Sequence, residues 1–373
     1  MRVVIDCFKL VKGVGKSIGI YNVALNLTKN LVRGQKEFDN GIIKNCELIV
    51  LGNSINKQDF DTDGLKFIEI KKYDPLNRVH CILWELFAVS IVCKKLHADR
   101  IIFPRGYCAL THPVKDIVII HDLIPFYYSK YFPGVFNKIE NIYIMNRLRA
   151  SAKSCNQIIT ISESSKQDIL KYCDVVEDKI SVIYNACSRI DFNEYKEKKK
   201  NSYICAITSS LPHKNAKGIL ESYNKYCELA DDPLNLIVIG IENVSTCNLP
   251  QNVKSKITCY KYIKDNKKLY KLIANSEIFL FLSLIEGFGL PPVEAMQLNV
   301  PVICSNTSSL PEIVGNAAVL VNPTNYYEVA VQLKYLTDSA EKRNKLIQLG
   351  EKNYKRFSWR DVSEKYWKVI TSG

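Results

Sequence analysis

Two glutamates enclose a glycine-rich turn in the segment FLFLSLIEGFGLPPVEAMQ, residues 279–297. Glu286 and Glu294 are separated by seven residues, and the triplet 287–289, Gly-Phe-Gly, follows the first of them. A carboxylate accepts two hydroxyl groups well, which suits a ribose or a hexose better than a phosphate. A glycine turn before a helix lets the backbone approach a ligand and offers N–H groups to a diphosphate. The segment therefore predicts a site for a nucleotide sugar.

Such a site needs a strand that ends near Glu286 and a helix that begins near residue 290. The segment EIFLFLS (277–283) predicts a buried strand, and LPPVEAMQ (290–297) predicts the helix. The same alternation of short apolar strands and amphipathic helices runs along the chain on both sides of the polar stretch 187–201. Two such runs predict an α/β protein with two Rossmann-like domains, whose strand ends face one another across a cleft.

This alternation divides the chain of 373 residues into three expected parts. They are an N-terminal Rossmann-like, acceptor-side domain (1–190), a C-terminal nucleotide-sugar-binding domain (201–357) and a C-terminal helix (358–373) that packs back toward the first domain.

The charge balance favours anionic partners. The chain has 51 Lys and Arg against 38 Asp and Glu, a formal net charge of +13. Nucleic acid, phosphorylated metabolites or an anionic membrane surface would each fit this charge. The dense run KEKKK (196–200) lies in the polar stretch, and we interpret it as part of a linker.

Neither a membrane span nor a targeting segment is visible, so we expect a cytoplasmic protein. The opening MRVVIDCFKL has a charge within its apolar run and predicts a first strand. The segment VHCILWELFAVSIVC (79–93) is interrupted by His80 and Glu85, and we interpret it as a buried domain helix. The thirteen cysteines are odd in number, and the closest two are 12 residues apart. This spacing indicates reduced, mostly buried cysteines rather than a disulfide framework or a C-x-x-C pair.

The turn segment EGFGLPPVEAM (286–296) resembles the E-x(7)-E signature of the retaining glycosyltransferases of family 4, which have the two-domain GT-B fold. Further matches to this family extend nearly from end to end. They are SIGIYNVALNL (17–27), HDLIPF (121–126), IITISESSKQDIL (158–170), VIYNA (182–186), LPHKNAKGILESY (211–223), SSLPEIVGNAAVLVNP (308–323) and FSWRD (357–361).

The resemblance implies a role for each matching residue of the second domain. Glu286 would contact the hydroxyls of the transferred sugar, Glu294 the nucleotide ribose, and Lys214 would neutralise the diphosphate. The backbone of the turn would contact the donor sugar and diphosphate through Gly287, Phe288, Gly289 and Leu290.

The remaining implied donor contacts are spread over both domains. Tyr262 and Ile263 would hold the base. His121 would lie on the opposite wall near the donor sugar, and we expect it to be a catalytic residue together with Glu286 and Lys214. Gly19, in the loop after the first strand, would lie near the phosphates or the acceptor. Ser209 stands in a region where many relatives carry an arginine.

The chain departs from the family pattern at several positions. It offers only hydroxyls and a histidine at Thr208, Ser209 and His213, so neutralisation of the diphosphate depends more on Lys214 and the helix N-terminus. In the first domain, Ser17 replaces a common glycine and Ile20 a common arginine.

The expected activity is retaining transfer of a hexose from a nucleoside diphosphate sugar to a hydroxyl of a glycan acceptor. The resemblance implies front-face attack, in which the departing phosphate oxygen takes the proton of the acceptor, and a reaction that uses neither a metal nor a cofactor. Attack by Glu286 as a carboxylate nucleophile stays open as the alternative. Family habit and charge extend the expectation to bacterial surface polysaccharide, O-antigen or capsule. They also suggest a lipid-linked acceptor and a peripheral position on the inner face of the cell membrane.

Three other classes of protein compete with this interpretation. A P-loop nucleotide-binding protein is disfavoured because the first glycine of G-x-x-x-x-G-K-S would fall on Leu10. A nucleic-acid binder is disfavoured because no recognised module is present. A catalytically silent GT-B subunit that serves a partner stays open, although the presence of Glu286, Lys214 and Glu294 favours activity.

Overall fold

The computed structural model describes residues 1–13, 18–38, 40–197, 202–245 and 247–372. Ser17 and residues 198–200 of the basic run lie outside the described residues. The chain divides into two compact units, Met1–Ala186 with Ser358–Gly373, and Cys187–Phe357.

Within the described residues, the first unit contains a seven-stranded parallel sheet. Its strands are β1 (Arg2–Asp6), β2 (Glu47–Gly52), β3 (Lys66–Glu69), β4 (Arg100–Phe103), β5 (Lys115–Ile120), β6 (Gln157–Thr160) and β7 (Ile180–Val182). The strand order is β3-β2-β1-β4-β5-β6-β7, so β2 and β3 lie on one side of β1 and the strands from β4 to β7 lie on the other. Ligands of such sheets bind outside the carboxyl ends of the strands, where this order reverses.

Helices cover both faces of this sheet. They are α1 (Ile18–Glu37), α2 (Gly41–Lys44), α3 (Lys57–Phe60), α4 (Arg78–Leu83), α5 (Val89–Lys95), α6 (Ile124–Tyr131), α7 (Lys138–Ser154) and α8 (Glu163–Cys173). A π-helical turn (Trp84–Ala88) joins α4 to α5, and a 3₁₀ turn (Glu177–Lys179) precedes β7.

The second unit repeats the design with six parallel strands among the described residues. They are β8 (Tyr203–Ile207), β9 (Asn235–Ile239), β10 (Ile257–Tyr260), β11 (Ile278–Phe281), β12 (Val302–Ser305) and β13 (Ala318–Val321). The order is β10-β9-β8-β11-β12-β13, so the reversal lies between β8 and β11.

The helices of the second unit run from α9 to α16. They are α9 (Phe192–Tyr195), α10 (Ala216–Leu229), α11 (Gln251–Lys254), α12 (Asn266–Ala274), α13 (Leu290–Gln297), α14 (Leu310–Val314), α15 (Tyr326–Asp338) and α16 (Ala340–Asn353). Short 3₁₀ turns lie at Pro212–Lys214, Gly315–Ala317 and Tyr354–Arg356.

Each sheet separates two hydrophobic cores because successive strand residues point to opposite faces. In β1, Val3 and Ile5 contribute to one core and Val4 to the other, and all three are fully buried. The strands of the second unit divide in the same way. Full burial of each such side chain is worth about 1.5–3 kcal/mol, which fixes the strands whose ends carry the site.

The C-terminal helix α17 (Trp359–Thr371) belongs to the first unit and packs on α1. Trp367 is fully buried and its Nε1 donates a hydrogen bond to the carbonyl of Leu31 at 3.1 Å. The hydroxyl of Ser363 donates to the carbonyl of Asn30 at 2.8 Å.

The segment 79–93, interpreted from the sequence as a buried helix, is buried on one side only. Trp84, Ala88 and Cys93 lie in the core, whereas Val79 and Phe87 are exposed. The interpretation is therefore wrong for the exposed side of the segment, where residues 79, 83, 87 and 91 lie. Among the described residues, no helix is both long enough and apolar enough to cross a membrane.

All thirteen cysteines fall within the described residues, and no disulfide joins any two of them. Nine of them are buried, as the sequence predicts.

Candidate functional site

An ion pair joins two loops at the carboxyl edge of the sheet in the second unit. Nζ of Lys214, in the loop after β8, lies 2.5 Å from Oε1 of Glu286, in the loop after β11. The side chains of Lys214 and Glu286 are 26% and 11% exposed, so the pair is shielded but reachable from solvent. The structure thus brings together two of the residues that the sequence selects.

The backbone around Lys214 is fixed by two polar neighbours. The hydroxyl of Thr208 donates to the carbonyl of Lys214 at 2.7 Å. Asn215 adopts the left-handed conformation with φ of 55°, which asparagine tolerates better than most residues. Its side-chain amide donates to the carbonyls of Leu282 and Pro323, both at 3.0 Å, and therefore ties Lys214 to the ends of β11 and β13.

The loop that carries Glu286 is held by two consecutive serines after β12. The backbone N–H of Glu286 donates to Oγ of Ser308 at 2.9 Å. Ser309 is fully buried, and its single hydroxyl proton is shared between the carbonyls of Glu286 and Phe288, at 2.9 and 3.0 Å from Oγ. These hydrogen bonds hold the glycine turn against the loop that follows the neighbouring strand β12.

The glycine turn requires glycine at position 289 for two reasons. Gly289 has φ of 99°, and an added Cβ would lie 2.5 Å from Cδ2 of Leu310. The helix that follows begins Leu290-Pro291-Pro292, and proline has no N–H. Of the four backbone positions whose N–H groups normally point out of a helix N-terminus, only Gly289 and Leu290 therefore have an N–H to offer.

Glu294 lies one to two turns into α13 in a different electrostatic setting. Its carboxyl group is enclosed and accepts a hydrogen bond from the hydroxyl of Tyr270 on α12. Burial raises the pKa of Glu294 to about 7, although the hydrogen bond from Tyr270 acts to lower it. Near neutral pH the carboxyl group is therefore only partly protonated. Its oxygens can accept hydrogen bonds from the hydroxyl groups of a ligand.

The histidine beside Lys214 does not add positive charge at neutral pH. His213 is buried, and burial, with the charge of Lys214 as a smaller cause, lowers its pKa to about 4. The carbonyl of His213 accepts the N–H of Leu284 at 2.7 Å, which again connects the loops after β8 and β11. His213 therefore gives Lys214 no cationic support.

The other predicted donor contacts of this unit lie in loops at the same edge. Ser209 follows β8, and its hydroxyl accepts the N–H of Leu211 at 3.3 Å. Tyr262 and Ile263 follow β10; the tyrosine is 70% exposed, whereas the isoleucine packs against a core. Gly287 and Phe288 are buried within the turn.

Two predicted residues belong to the first unit. His121 follows β5 and is buried, and its Nε2–H donates to the carbonyl of Pro104 at 2.9 Å. Burial lowers the pKa of His121, so the ring is neutral and Nδ1 is left as an acceptor. Gly19 lies in the first turn of α1 rather than in the preceding loop, and an added Cβ would meet nothing within 4 Å.

The first unit also contains a charged network that the sequence reasoning missed. Glu85, in the buried π-helical turn, forms ion pairs with Lys9 and, at 3.3 Å, with Arg147. Asp6 lies beside it, where burial raises its pKa to about 6 although Nε1 of Trp84 donates to it at 3.0 Å. An acid inside an apolar run, as at Glu85, is the sequence signal that could have indicated it.

Among the described residues, one group could hold a metal ion, formed by Cys108, His112 and Asp116 in the first unit. Nδ1 of His112 already lies 2.7 Å from Oδ2 of Asp116, and burial raises the pKa of the Cys108 thiol. The alternating acids at 59, 61 and 63 have a spacing typical of some metal sites, but they are not part of this group.

The pKa of Glu294 leads to a prediction about stability. An acid whose pKa rises from 4.5 to about 7 on folding destabilises the native state once it ionises, so stability falls as pH rises through this window. The variant Glu294→Gln cannot ionise. We expect it to be more stable than the wild type at pH 8, by on the order of 2 kcal/mol, with the difference narrowing toward pH 5.

Chemical denaturation at both pH values measures this difference. Glu351→Gln, which changes an exposed glutamate of the same unit, is the matched control and should show little gain at pH 8. A Glu294→Gln variant that is no more stable than the wild type at pH 8 would contradict the assignment.

Comparison with known proteins identifies the family of this chain. Residues 188–353 match the family described as Glycosyl transferases group 1, and residues 46–188 match Glycosyltransferase Family 4. The O-antigen chain mannosyltransferase RfbU of Salmonella typhimurium is 32% identical over 287 residues, which cover 73% of this chain and 76% of that protein. The O-antigen chain mannosyltransferase B of Escherichia coli is 27% identical over 264 residues, covering 67% and 68%.

The fold has a counterpart among solved structures. WaaG, a glycosyltransferase involved in lipopolysaccharide biosynthesis, superposes with a TM-score of 0.70 over 100% of both chains, at 13% identity. At this identity the likeness concerns the fold alone, and it confirms the prediction of two Rossmann-like domains of the GT-B type. With the family matches and the relative at 32% identity, it follows that the chain belongs to the group 1 glycosyl transferases of the GT-B type.

Proposed function

We propose that the protein is a retaining hexosyltransferase that uses a nucleoside diphosphate sugar as donor and a glycan hydroxyl as acceptor. The observation that carries the proposal is the shielded ion pair between Lys214 and Glu286 beside the glycine turn. It provides a cation for the diphosphate and an acceptor of sugar hydroxyls at one place. Glu294, eight positions after Glu286, binds the ribose hydroxyls in this proposal.

The reaction follows from the charge that must be stabilised. The bond between the anomeric carbon of the sugar and the diphosphate oxygen breaks, and the acceptor oxygen bonds to the same face of that carbon. The proton of the acceptor hydroxyl passes to the departing phosphate oxygen. Lys214 and the N–H groups near Gly289 stabilise the growing negative charge, so neither a metal nor another cofactor takes part.

The acceptor is proposed from the relatives. Both reported relatives are named as O-antigen chain mannosyltransferases, which makes mannose the first hexose to test and a bacterial surface polysaccharide the acceptor class. The acceptor of such a pathway is lipid-linked in our proposal. The chain, with a net charge of +13, then works in the cytoplasm against the anionic inner face of the cell membrane.

A donor screen tests the proposal directly. We expect one class among UDP-, GDP- and dTDP-hexoses to raise the melting temperature, since a ligand at 100 times its Kd stabilises by about 2.7 kcal/mol. The product formed with that donor should keep the anomeric configuration of the donor, as measured by NMR. No stabilisation by any nucleotide sugar would favour the catalytically silent subunit, and an inverted product would overturn the retaining mechanism.

The roles of the lysine and the second acid are separable in kinetics. Because Lys214 acts mainly on charge that develops in the transition state, Lys214→Ala should lower kcat about a hundredfold, on the order of 3 kcal/mol. Glu294→Ala should instead raise the donor KM with a modest fall in kcat, because the ribose contact is equal in ground and transition states. Glu286→Gln should affect both parameters.

The control for these variants is Lys217→Ala, which removes an exposed lysine three positions from Lys214 and should leave both parameters unchanged. Each variant must keep a melting temperature near that of the wild type. Full kcat in Lys214→Ala, or an unchanged donor KM in Glu294→Ala, would mean that these residues do not form one donor site.

Metal independence is tested by chelation. Since Lys214 supplies the positive charge in our proposal, EDTA should leave the rate of transfer within about twofold of the untreated enzyme. A rate that EDTA abolishes and that Mg²⁺ or Mn²⁺ restores would show that a divalent cation takes part.

A further inference from the structure

The helical segment 78–95 of the first unit carries a row of exposed apolar side chains. Four large apolar residues recur at every fourth position and are each about half exposed: Val79 (62%), Leu83 (43%), Phe87 (48%) and Ile91 (56%). We name these four residues the apolar stripe. Single exposed apolar residues are common, but an aligned row of large ones marks an interaction surface.

The π-helical turn keeps the apolar stripe on one side of the helix. In an uninterrupted α-helix of 3.6 residues per turn, each step of four residues advances about 40° around the axis, so four such residues would wind away from one face. The turn Trp84–Ala88 closes i→i+5 hydrogen bonds and holds more residues per turn. From Leu83 to Phe87 the side-chain direction therefore rotates by less than one full turn, which offsets the drift of the two α-helical steps. Trp84 and Ala88 lie on the opposite side of the helix, in the core.

The charges of this segment are arranged around the apolar stripe. Glu85 is the single acid between residues 78 and 95, and it is buried against Lys9 and Arg147. Exposed basic residues stand at the two ends, Arg78 before the stripe, and Lys94 and Lys95 after it. The outward face thus has an apolar centre, basic ends and no exposed acid of its own.

Helix α7 has an aromatic side chain near Arg78, the first residue of the segment. Tyr143 is 40% exposed, hydrogen-bonds to Arg147 and lies within electrostatic reach of Arg78. Ile139, one turn earlier on the same helix, is 80% exposed. The next residue of α7, Glu140, is an exposed acid, so the acid-free face is limited to the segment 78–95.

We propose that the apolar stripe is the surface by which the protein docks on an anionic phospholipid bilayer. The four side chains enter the boundary between headgroups and acyl chains, as interfacial helices do, and the basic ends contact lipid phosphates. Anionic lipid is the occupant because the net charge of +13 and the acid-free face complement it. The inference rests on the membrane part of the proposed function and names the residues responsible for it.

Co-sedimentation with vesicles tests this surface. Wild-type protein should bind vesicles of equal parts phosphatidylglycerol and phosphatidylcholine at low ionic strength, and bind pure phosphatidylcholine far less. The double variant Phe87→Glu with Ile91→Glu should weaken binding by at least about tenfold, because it places two charges at the lipid boundary. Lys94→Ala with Lys95→Ala should reduce the salt dependence of binding.

The matched control is Ile55→Glu with Val176→Glu, which changes two exposed apolar residues of the same unit outside this segment and should bind like the wild type. Wild-type-like vesicle binding by the Phe87, Ile91 variant would overturn the inference while leaving membrane association standing. The apolar stripe would instead join two copies of the chain if the wild type is an oligomer that the Phe87, Ile91 variant dissociates while vesicle binding is unchanged. This outcome would also overturn the inference.

A wild type that binds no vesicles would overturn both the inference and the membrane part of the proposed function. Donor binding by thermal shift, measured on the same variants, keeps these outcomes separate from a failure of the transferase proposal. We expect the Phe87, Ile91 variant to keep the wild-type response to nucleotide sugars.

Discussion

The parallel arrangement of every strand is the constraint on which the rest of the molecule depends. Parallel strands place all their carboxyl ends at one edge, and a covered sheet leaves that edge as the place where polar loops can meet. In the second unit, the loops after β8, β11 and β12 contribute Lys214, Glu286 and Ser309 to this edge. Residues far apart in the chain become neighbours for this reason alone.

At this edge the two acids are adapted to different tasks. Glu286 is paired with Lys214, and removing either partner would leave a shielded charge without compensation. Glu294 is enclosed and has no ion-pair partner in the part of the chain that the structure describes, and burial raises its pKa to about 7. The second arrangement costs stability in the free protein, which is the usual sign of a group held ready for a ligand.

The first unit shows how one helical segment can serve two surfaces. Its inner side buries Trp84 and pairs Glu85 with Lys9 and Arg147. This pairing removes the single acid of the segment from the outer side. The π-helical turn that places Glu85 inward also keeps the apolar stripe aligned outward, so the buried network and the proposed membrane surface depend on the same local geometry.

The sequence by itself determined the fold class and the presence of a glycine turn, because the periodicity of strands and helices and the backbone freedom of glycine are local properties. The contact with Leu310 that also requires glycine at 289 belongs to the tertiary structure. Only the tertiary structure decided that Lys214 meets Glu286 across 72 residues and that Ser308 and Ser309 hold the turn. These contacts depend on which strands are neighbours. The tertiary structure also decided the pKa of Glu294 and the exposure of Phe87. Both depend on which side chains the rest of the chain covers, and a pattern of residue types cannot specify that.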